Sequence, residues 1–242
     1  MSSSEQRCSQ QRINDLQQPI GPALDNWGPR PRPPRTTMHG RYCRVEPLQP
    51  RHAAALFEAF GADSDGRNWT YMPYGPFEDV GRFEQWLQQQ CQGDDPLFYS
   101  IIDNSSDQPV GMASYLRIEP AVGVIEVGHI HFSPRLQRTA LATETMFLMM
   151  QRVFDELGYR RYEWKCDSLN GPSRQAAERL GFQFEGVFRQ ATIYKDRNRD
   201  TAWFSMLDSE WPQLKSAFEQ WLAPQNFDTN GRQRQRLQAF RD

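Results

Sequence analysis

Cysteine is scarce in this chain, with four in 242 residues (Cys8, Cys43, Cys91 and Cys166) and neither a CxxC pair nor zinc-type spacing. A chain of this length buries its own core without covalent staples, so these read as reduced thiols of a cytoplasmic protein. Histidine is equally rare. His129 and His131 stand two apart on one strand, but the sequence places no third ligand beside them, and no metal is expected. No apolar run approaches the ~18 residues of a membrane span. The opening MSSSEQRCSQQRINDLQQPI has no apolar signal core, so neither secretion nor a membrane partner is expected. Charge of one sign is also missing: 28 basic and 30 acidic side chains give a net of -2. That argues against a general nucleic-acid surface and leaves room for a local basic patch for a phosphorylated ligand. Neither GxxxxGK[ST] nor GxGxxG occurs, which argues against ATP and NAD.

Aromatic residues are plentiful. Seven tryptophans and fifteen phenylalanines favour a folded protein over a disordered one. Residues 1–40 form a Pro/Gln-rich arm, because the prolines of NWGPRPRPPRTT deny the backbone donors and favour an extended path. Its Trp27 is a candidate surface anchor. Residues 41–208 read as one domain, and residues 209–242 as a C-terminal helix and tail packed on it.

Within the domain, GRYCRVEPLQP predicts a strand, RHAAALFEAFG a helix, NWTYMPYGPF an aromatic loop and FEDVGRFEQWLQQQ a second helix. PLFYSIID, PVGMASYLRI and AVGVIEVGHIHF predict three strands joined by short turns. TALATETMFLMMQRVFDELG, apolar nearly all round, predicts a helix covered on more than one side and ended by Gly158. The strand YRRYEWKCD, the helix NGPSRQAAERLG and the strands FQFEGVFRQATIY and TAWFSMLDSEW follow, the last two linked through KDRNRD. Hairpins beside strand–helix–strand crossovers imply an α/β fold: a mixed, mostly antiparallel sheet with helices on both faces.

The junction SPRLQRTALATE passes from a strand into the long helix. Backbone N–H groups at a helix start lack partners, the dipole there is positive, and small side chains let an anion approach. Gln137, Arg138, Thr139, Ala140, Leu141 and Ala142 thus form a candidate phosphate site, with Arg138 supplying a charge for a diphosphate. The same residues also suit a plain helix start whose alanines pack on the sheet.

Gln137-x-x-Ala140-x-Ala142 resembles the Q/R-x-x-G-x-G/A signature of the GCN5-related N-acetyltransferases (GNAT), the acyl-CoA N-acyltransferase fold. Asn170-Gly-Pro-Ser173, continuing to Gly181-Phe182, resembles a second segment of that family. Phe184 to Gln190 followed by Asp200 is similar to the ribosomal-protein N-terminal acetyltransferase branch (RimJ/RimL-like). The resemblance implies acetyl-CoA as cosubstrate, its pyrophosphate on the 137–142 turn and its pantetheine beside Asn170 and Ser173. It also implies that the main chain of Ile130, His131 and Phe132 holds the acetyl carbonyl and the pantetheine arm. Ala140 stands where the family has glycine, which requires an ordinary helical backbone at that position.

Acyl transfer to an amine needs a base for the ammonium proton, stabilisation of an oxyanion and a proton for the leaving thiolate. The resemblance points to Glu126 as base. Strict alternation would put it on one strand face with Gly128, Ile130 and Phe132, and Val127, His129 and His131 on the other. Apolar neighbours would raise its pKa; alternatively it is satisfied by a neighbouring strand or an arginine. The family's helix tyrosine is replaced by Ala177, leaving Ser173 as the candidate acid, or as a cap or cofactor contact. Trp69, Tyr71, Tyr74 and Phe77 form a candidate acceptor wall, with Glu185 and Asp200 as further amine-recognition candidates. Lys195, Arg197 and Arg199 of KDRNRD suit either steering of an anionic substrate or a solvated turn.

The expected function is acetyl transfer from a CoA thioester to a primary amine, on a peptide N-terminus or a small molecule. The alternative is a silent CoA-binding module on the same scaffold. The arm suits either contact with a second subunit of a homodimer or gating of the acceptor groove.

Overall fold

A computed structural model describes residues 12–241; Cys8 and the start of the arm lie outside the described residues. In the arm, β1 (Arg12–Ile13) and β2 (Pro19–Ile20) pair as a small antiparallel ribbon. Trp27 then docks on the body, its Nε1 donating to the Ala121 carbonyl at 2.8 Å. A Cβ at Gly123, whose φ is +64°, would lie 2.5 Å from the Trp27 ring. The proline-rich stretch offers carbonyls but few N–H groups, and the body supplies the donors. Tyr99 bonds the Pro34 carbonyl at 2.9 Å and Arg152 the Thr36 carbonyl at 2.8 Å.

The body continues as β3 (Met38–His39), β4 (Cys43–Pro47), α1 (Ala53–Gly61), α2 (Val80–Gln90), β5 (Leu97–Asp103), β6 (Gln108–Glu119) and β7 (Val124–Phe132). Then come α3 (Ala140–Gln151), β8 (Arg161–Asp167), α4 (Gly171–Leu180), β9 (Gln183–Tyr194), β10 (Arg197–Leu207) and α5 (Trp211–Leu222). One sheet of eight strands runs β3-β4-β5-β6-β7-β8-β10-β9. Every neighbouring pair is antiparallel except β7 and β8. This is the mixed, mostly antiparallel α/β fold that the element order implied.

Each face has its own core. On one, Met146, Met149 and Met150 of α3 and Phe218 of α5 cover Ile125, Val127, Tyr162 and Phe204. On the other, Leu56 and Phe60 of α1 and Phe83 and Leu87 of α2 cover Phe98 and Met112. As its composition implied, α3 is buried without a break from Thr143 to Met150, and the chain leaves it through a wider π turn to Gly158 at φ +68°. Its one buried acid, Glu144, accepts the N–H groups of Arg41, Tyr42 and Cys43 at 2.8, 2.6 and 2.9 Å, fastening the start of β4 to the helix.

Two expectations are corrected. The KDRNRD link is shorter than expected: β9 ends at Tyr194, only Lys195–Asp196 turn, with φ of +48° and +57°, and Arg197–Asp200 already belong to β10. Two left-handed residues match the twist of a hairpin, and here they are met without glycine. Strict alternation also fails on β7. Gly128 pairs with Ser114 and His131 with Met112, so His129 and Ile130 together oppose the single Ala113. This β-bulge, with His129 at φ +50°, turns Ile130 and Phe132 toward the α3 core. His131 then faces the α1 side, packed on Phe60 and Trp69, on the face that Glu126 and Gly128 share.

Candidate active site

The parallel partners β7 and β8 stay in register from Val124 and Arg161 to Val127 and Trp164, and past that point no ladder joins them. The bulge at His129–Ile130 drives β7 away, and a cavity of about 810 Å³ lies over the split. Glu126, Gly128, His129 and Ile130 line it from β7, and Glu163, Lys165, Cys166 and Asp167 from β8. Asn170 and Ser173 line it from the start of α4, Tyr71 from the α1–α2 loop, and Phe188 and Ile193 from β9. The volume is that of a small-molecule site, and its place between diverging strands exposes main chain that a ligand can bond.

Glu126 is buried, with Arg117 Nη1 at 2.8 Å and Lys165 Nζ at 2.9 Å, both on Oε2. Among the described residues, Oε1 has no hydrogen-bond partner, which leaves it free to take a proton from a ligand. Burial raises the carboxyl pKa above its ordinary value, and the charges of Lys165 and Arg117 oppose that rise. Lys165, itself buried, also meets Glu163 at 2.7 Å and lies 3.7 Å from the Trp203 ring centroid. Both strand histidines are neutral near pH 7, burial lowering His129 to about 4 and His131 to about 3.

Ser173 accepts a hydrogen bond from Trp164 Nε1 at 3.0 Å, while its own N–H is capped by Asn170 Oδ1 at 3.1 Å. The hydroxyl, which also meets the Cys166 thiol, keeps its capacity to donate. Ala177 is fully buried in the core, so no hydroxyl replaces the missing tyrosine at that position. Burial raises the Cys166 thiol pKa, in keeping with an unreactive strand cysteine.

Beyond the end of β7, Gln137 fixes the turn by donating from Nε2 to the Phe132 carbonyl at 2.8 Å. Thr139 is the N-cap of α3: its Oγ1 accepts from Ala142 N–H at 3.1 Å and donates to the Leu136 carbonyl at 2.7 Å. Arg138 is left-handed at φ +62°, whereas Ala140 is the first residue of α3 and has an ordinary helical backbone. The missing glycine is therefore without conformational cost. Among the described residues, the N–H groups of Arg138, Thr139, Ala140 and Leu141 have no protein acceptor. Unpartnered donors at a helix N-terminus, beside an exposed arginine, fit an anionic diphosphate. Thr139, Ala140 and Leu141 also border a smaller cavity of about 460 Å³ with Arg41 and Arg135.

Several acceptor candidates fall elsewhere. Trp69 is buried in the α1–α2 core, its ring centroid 3.9 Å from that of His131. Tyr74 is committed to packing on Trp86 and His129, its hydroxyl 3.2 Å from His129 Nδ1, and Phe77 packs on Phe83; none of the three lines the cavity. Glu185 is held by Arg161 at 2.8 Å and by Ser205 at 2.7 Å. Asp200 accepts the Gln190 N–H at 2.7 Å and the Asn198 amide at 3.0 Å, stabilising the β9–β10 hairpin. Tyr71 does line the cavity, and donates to the Leu169 carbonyl at 3.1 Å. Of the KDRNRD cations Arg199 lines the cavity, whereas the exposed Lys195 and Arg197 do not. They donate to the carbonyls of Trp69 and Thr70 at 2.8 and 2.6 Å, tying the hairpin tip to the α1–α2 loop. Reasoning from sequence missed Arg117 and Lys165 in the cavity and Arg41 and Arg135 beside the turn, and named Arg199 only as one cation of the KDRNRD run. Only the exclusive i, i+2 spacing of Glu163 and Lys165 on a strand hinted that two charges share a face.

The model of the acetyltransferase (GNAT) domain family matches residues 43–183, more than half of the chain, and the protein belongs to that family. A GCN5-related N-acetyltransferase of Brucella melitensis of known crystal structure is 52% identical, with a TM-score of 0.89, over 90% of this chain and 100% of the other. A probable acetyltransferase from Chromobacterium violaceum ATCC 12472 is 47% identical, with a TM-score of 0.75, over 81% and 98% of the two chains. An uncharacterized N-acetyltransferase, p20, of Bacillus licheniformis is 28% identical over 61% of this chain and 84% of its own. The ribosomal L7/L12 acetyltransferase RimL shares the fold at 16% identity, with a TM-score of 0.62 over 71% and 93% of the two chains. Family membership implies acetyl transfer from acetyl-CoA. No helix among the described residues is long and apolar enough to cross a membrane.

Proposed function

We propose that the protein acetylates a primary amine, on a small molecule or a peptide N-terminus, with Glu126 as general base. The observation that carries this reading is the asymmetry of the Glu126 carboxylate: Oε2 is held by two cations while Oε1 is unengaged at the wall of the 810 Å³ cavity. Anchoring on one oxygen fixes the other in position, and a raised pKa suits proton removal near neutral pH.

Acetyl-CoA, when bound, supplies the acyl group and the thiolate leaving group. The free N–H groups of residues 138–141 and the Arg138 side chain hold its diphosphate. Main chain at the bulge, about Ile130, orients the acyl carbonyl, and the Ser173 hydroxyl donates a proton to the sulfur side of the cavity. The segment from Phe184 to Asp200 supports a relationship to the ribosomal-protein branch through sequence alone, because Glu185 and Asp200 take part in strand packing.

Incubation with acetyl-CoA and panels of small amines and N-terminal peptides, followed by thiol release, tests the reading. Turnover with a primary amine that is lost in Glu126→Gln supports it. Acetyl-CoA binding without turnover on either panel would refute it and favour a silent CoA-binding module, a role with which the buried Ala177 is consistent.

A further inference from the structure

The cavity is lined by three cationic side chains, and they are not equivalent. Arg117 and Lys165 are neutralised by Glu126, and Lys165 also by Glu163. Arg199, entering from β10, has no carboxylate partner among the described residues. Its Nε donates to Thr201 Oγ1 at 3.2 Å and its guanidinium carbon lies 5.8 Å from the Tyr194 ring centroid, so the side chain is steered without being discharged. Asp167 shares the cavity but makes no ion pair with Arg199 among the described residues. Asp167 is occupied by the Leu169 N–H at 2.9 Å and the Tyr194 hydroxyl at 2.7 Å.

Arg199 sits over the split between the two strands. Its positive charge is felt by His129 on β7, where it adds to burial and Arg117 in lowering the imidazole pKa, and by Cys166 on β8, where it opposes the burial that raises the thiol. Part of the surrounding wall is apolar: Phe188 stacks on Trp203 with centroids 4.4 Å apart. A half-buried guanidinium without a counter-ion has given up part of its hydration for one neutral hydrogen bond and a ring contact, and a planar carboxylate would add two parallel charge-assisted hydrogen bonds.

We propose that Arg199 binds a carboxylate on the acceptor, so that the substrate is an amine that also carries a carboxylate, its amine directed to Glu126 Oε1 and its apolar body laid against Phe188 and Trp203. The proposal rests on acetyl transfer to an amine at this cavity, and defines the class of amine.

The test is a series of amino acids with increasing spacing between amine and carboxylate, each paired with its carboxamide, assayed by acetyl-CoA-dependent thiol release. For at least one spacing the carboxylate should be preferred by about tenfold to a hundredfold in kcat/KM, mainly through KM, the range of a charge-assisted hydrogen-bonded pair. Arg199→Gln should bring that ratio close to one, and Arg199→Lys should retain part of it; acetyl-CoA binding reports that each variant is folded. Carboxamides acetylated as well as carboxylates across the series, or a preference that survives in Arg199→Gln, overturns the inference while leaving acetyl transfer intact. No thiol release with any amine overturns both.

Discussion

Replacing Lys165 by methionine removes a charge and keeps the shape. The ammonium lies 2.9 Å from Glu126 Oε2 and 2.7 Å from Glu163 Oε2, with side chains 4%, 6% and 9% exposed respectively. At an effective dielectric of ~20, unit charges at such a separation attract by about 6 kcal/mol. Desolvation of three ions offsets most of that sum. The measurable quantity is what remains when the cation alone is taken away and two carboxylates are left buried, with Arg117 and Arg161 as their remaining partners. Breaking a buried pair in this way costs about 3–5 kcal/mol.

The loss should depend on pH. Burial already holds the Glu126 pKa above its ordinary value, and Lys165 is the largest influence lowering it, so the variant raises it further. A carboxyl that binds its proton more tightly when folded contributes stability that is fully present below its unfolded pKa of about 4.5 and is lost as pH rises through the folded value. The deficit of Lys165→Met should therefore be small near about pH 5 and largest near about pH 8. Urea denaturation of wild type and variant at both pH values measures it. Adding Glu126→Gln should recover much of the loss, because the uncompensated charge is then gone. A deficit below about 1 kcal/mol that is the same at both pH values would show that Lys165 does not balance these acids.

Glu126→Gln itself should lower kcat by about a hundredfold or more while acetyl-CoA affinity measured by calorimetry is retained; an unchanged kcat removes the residue from the chemistry. Glu144→Ala strands three backbone donors at the start of β4, that of Cys43 fully buried, and a loss of about 2–3 kcal/mol in chemical denaturation is expected, with a fall below about 1 kcal/mol contradicting the fastening role. Arg138→Gly should do two opposed things: relieve a left-handed residue, raising stability by about 1 kcal/mol, and weaken acetyl-CoA binding by removing a cation from the diphosphate turn. Tighter acetyl-CoA binding in that variant would place the diphosphate elsewhere.

Long periodic segments announced themselves in the sequence because burial is their cause. The unbroken apolar run of α3, the Gly158 stop and the alternating β8 are each written in local hydrophobicity. The candidate site was legible only where main chain makes it. The 137–142 turn could be found from small residues at a strand–helix junction, and the structure shows the unpartnered donors there. Side-chain roles depended on what alternation cannot reveal. A single extra residue at His129–Ile130 reverses the facing of everything after it on β7, and nothing in VIEVGHIHF signals the position of the bulge. Trp69 in an aromatic loop reads equally as ligand wall or as core, and is core because α1 and α2 close around it. Arg117, Lys165 and Arg199 come from three strands, and only the sheet order brings them to one cavity.

The fastening between the β9–β10 hairpin and the α1–α2 loop is made to carbonyl oxygens, at Trp69 and Thr70, and Tyr71 joins the α4 entrance in the same manner through Leu169. Carbonyls are common to every residue type, so the exposed Thr70 and Leu169 side chains carry no share of the fastening. Evolution can thus rewrite the surface around the mouth, and with it the choice of incoming molecule, while the walls of the chamber keep their positions.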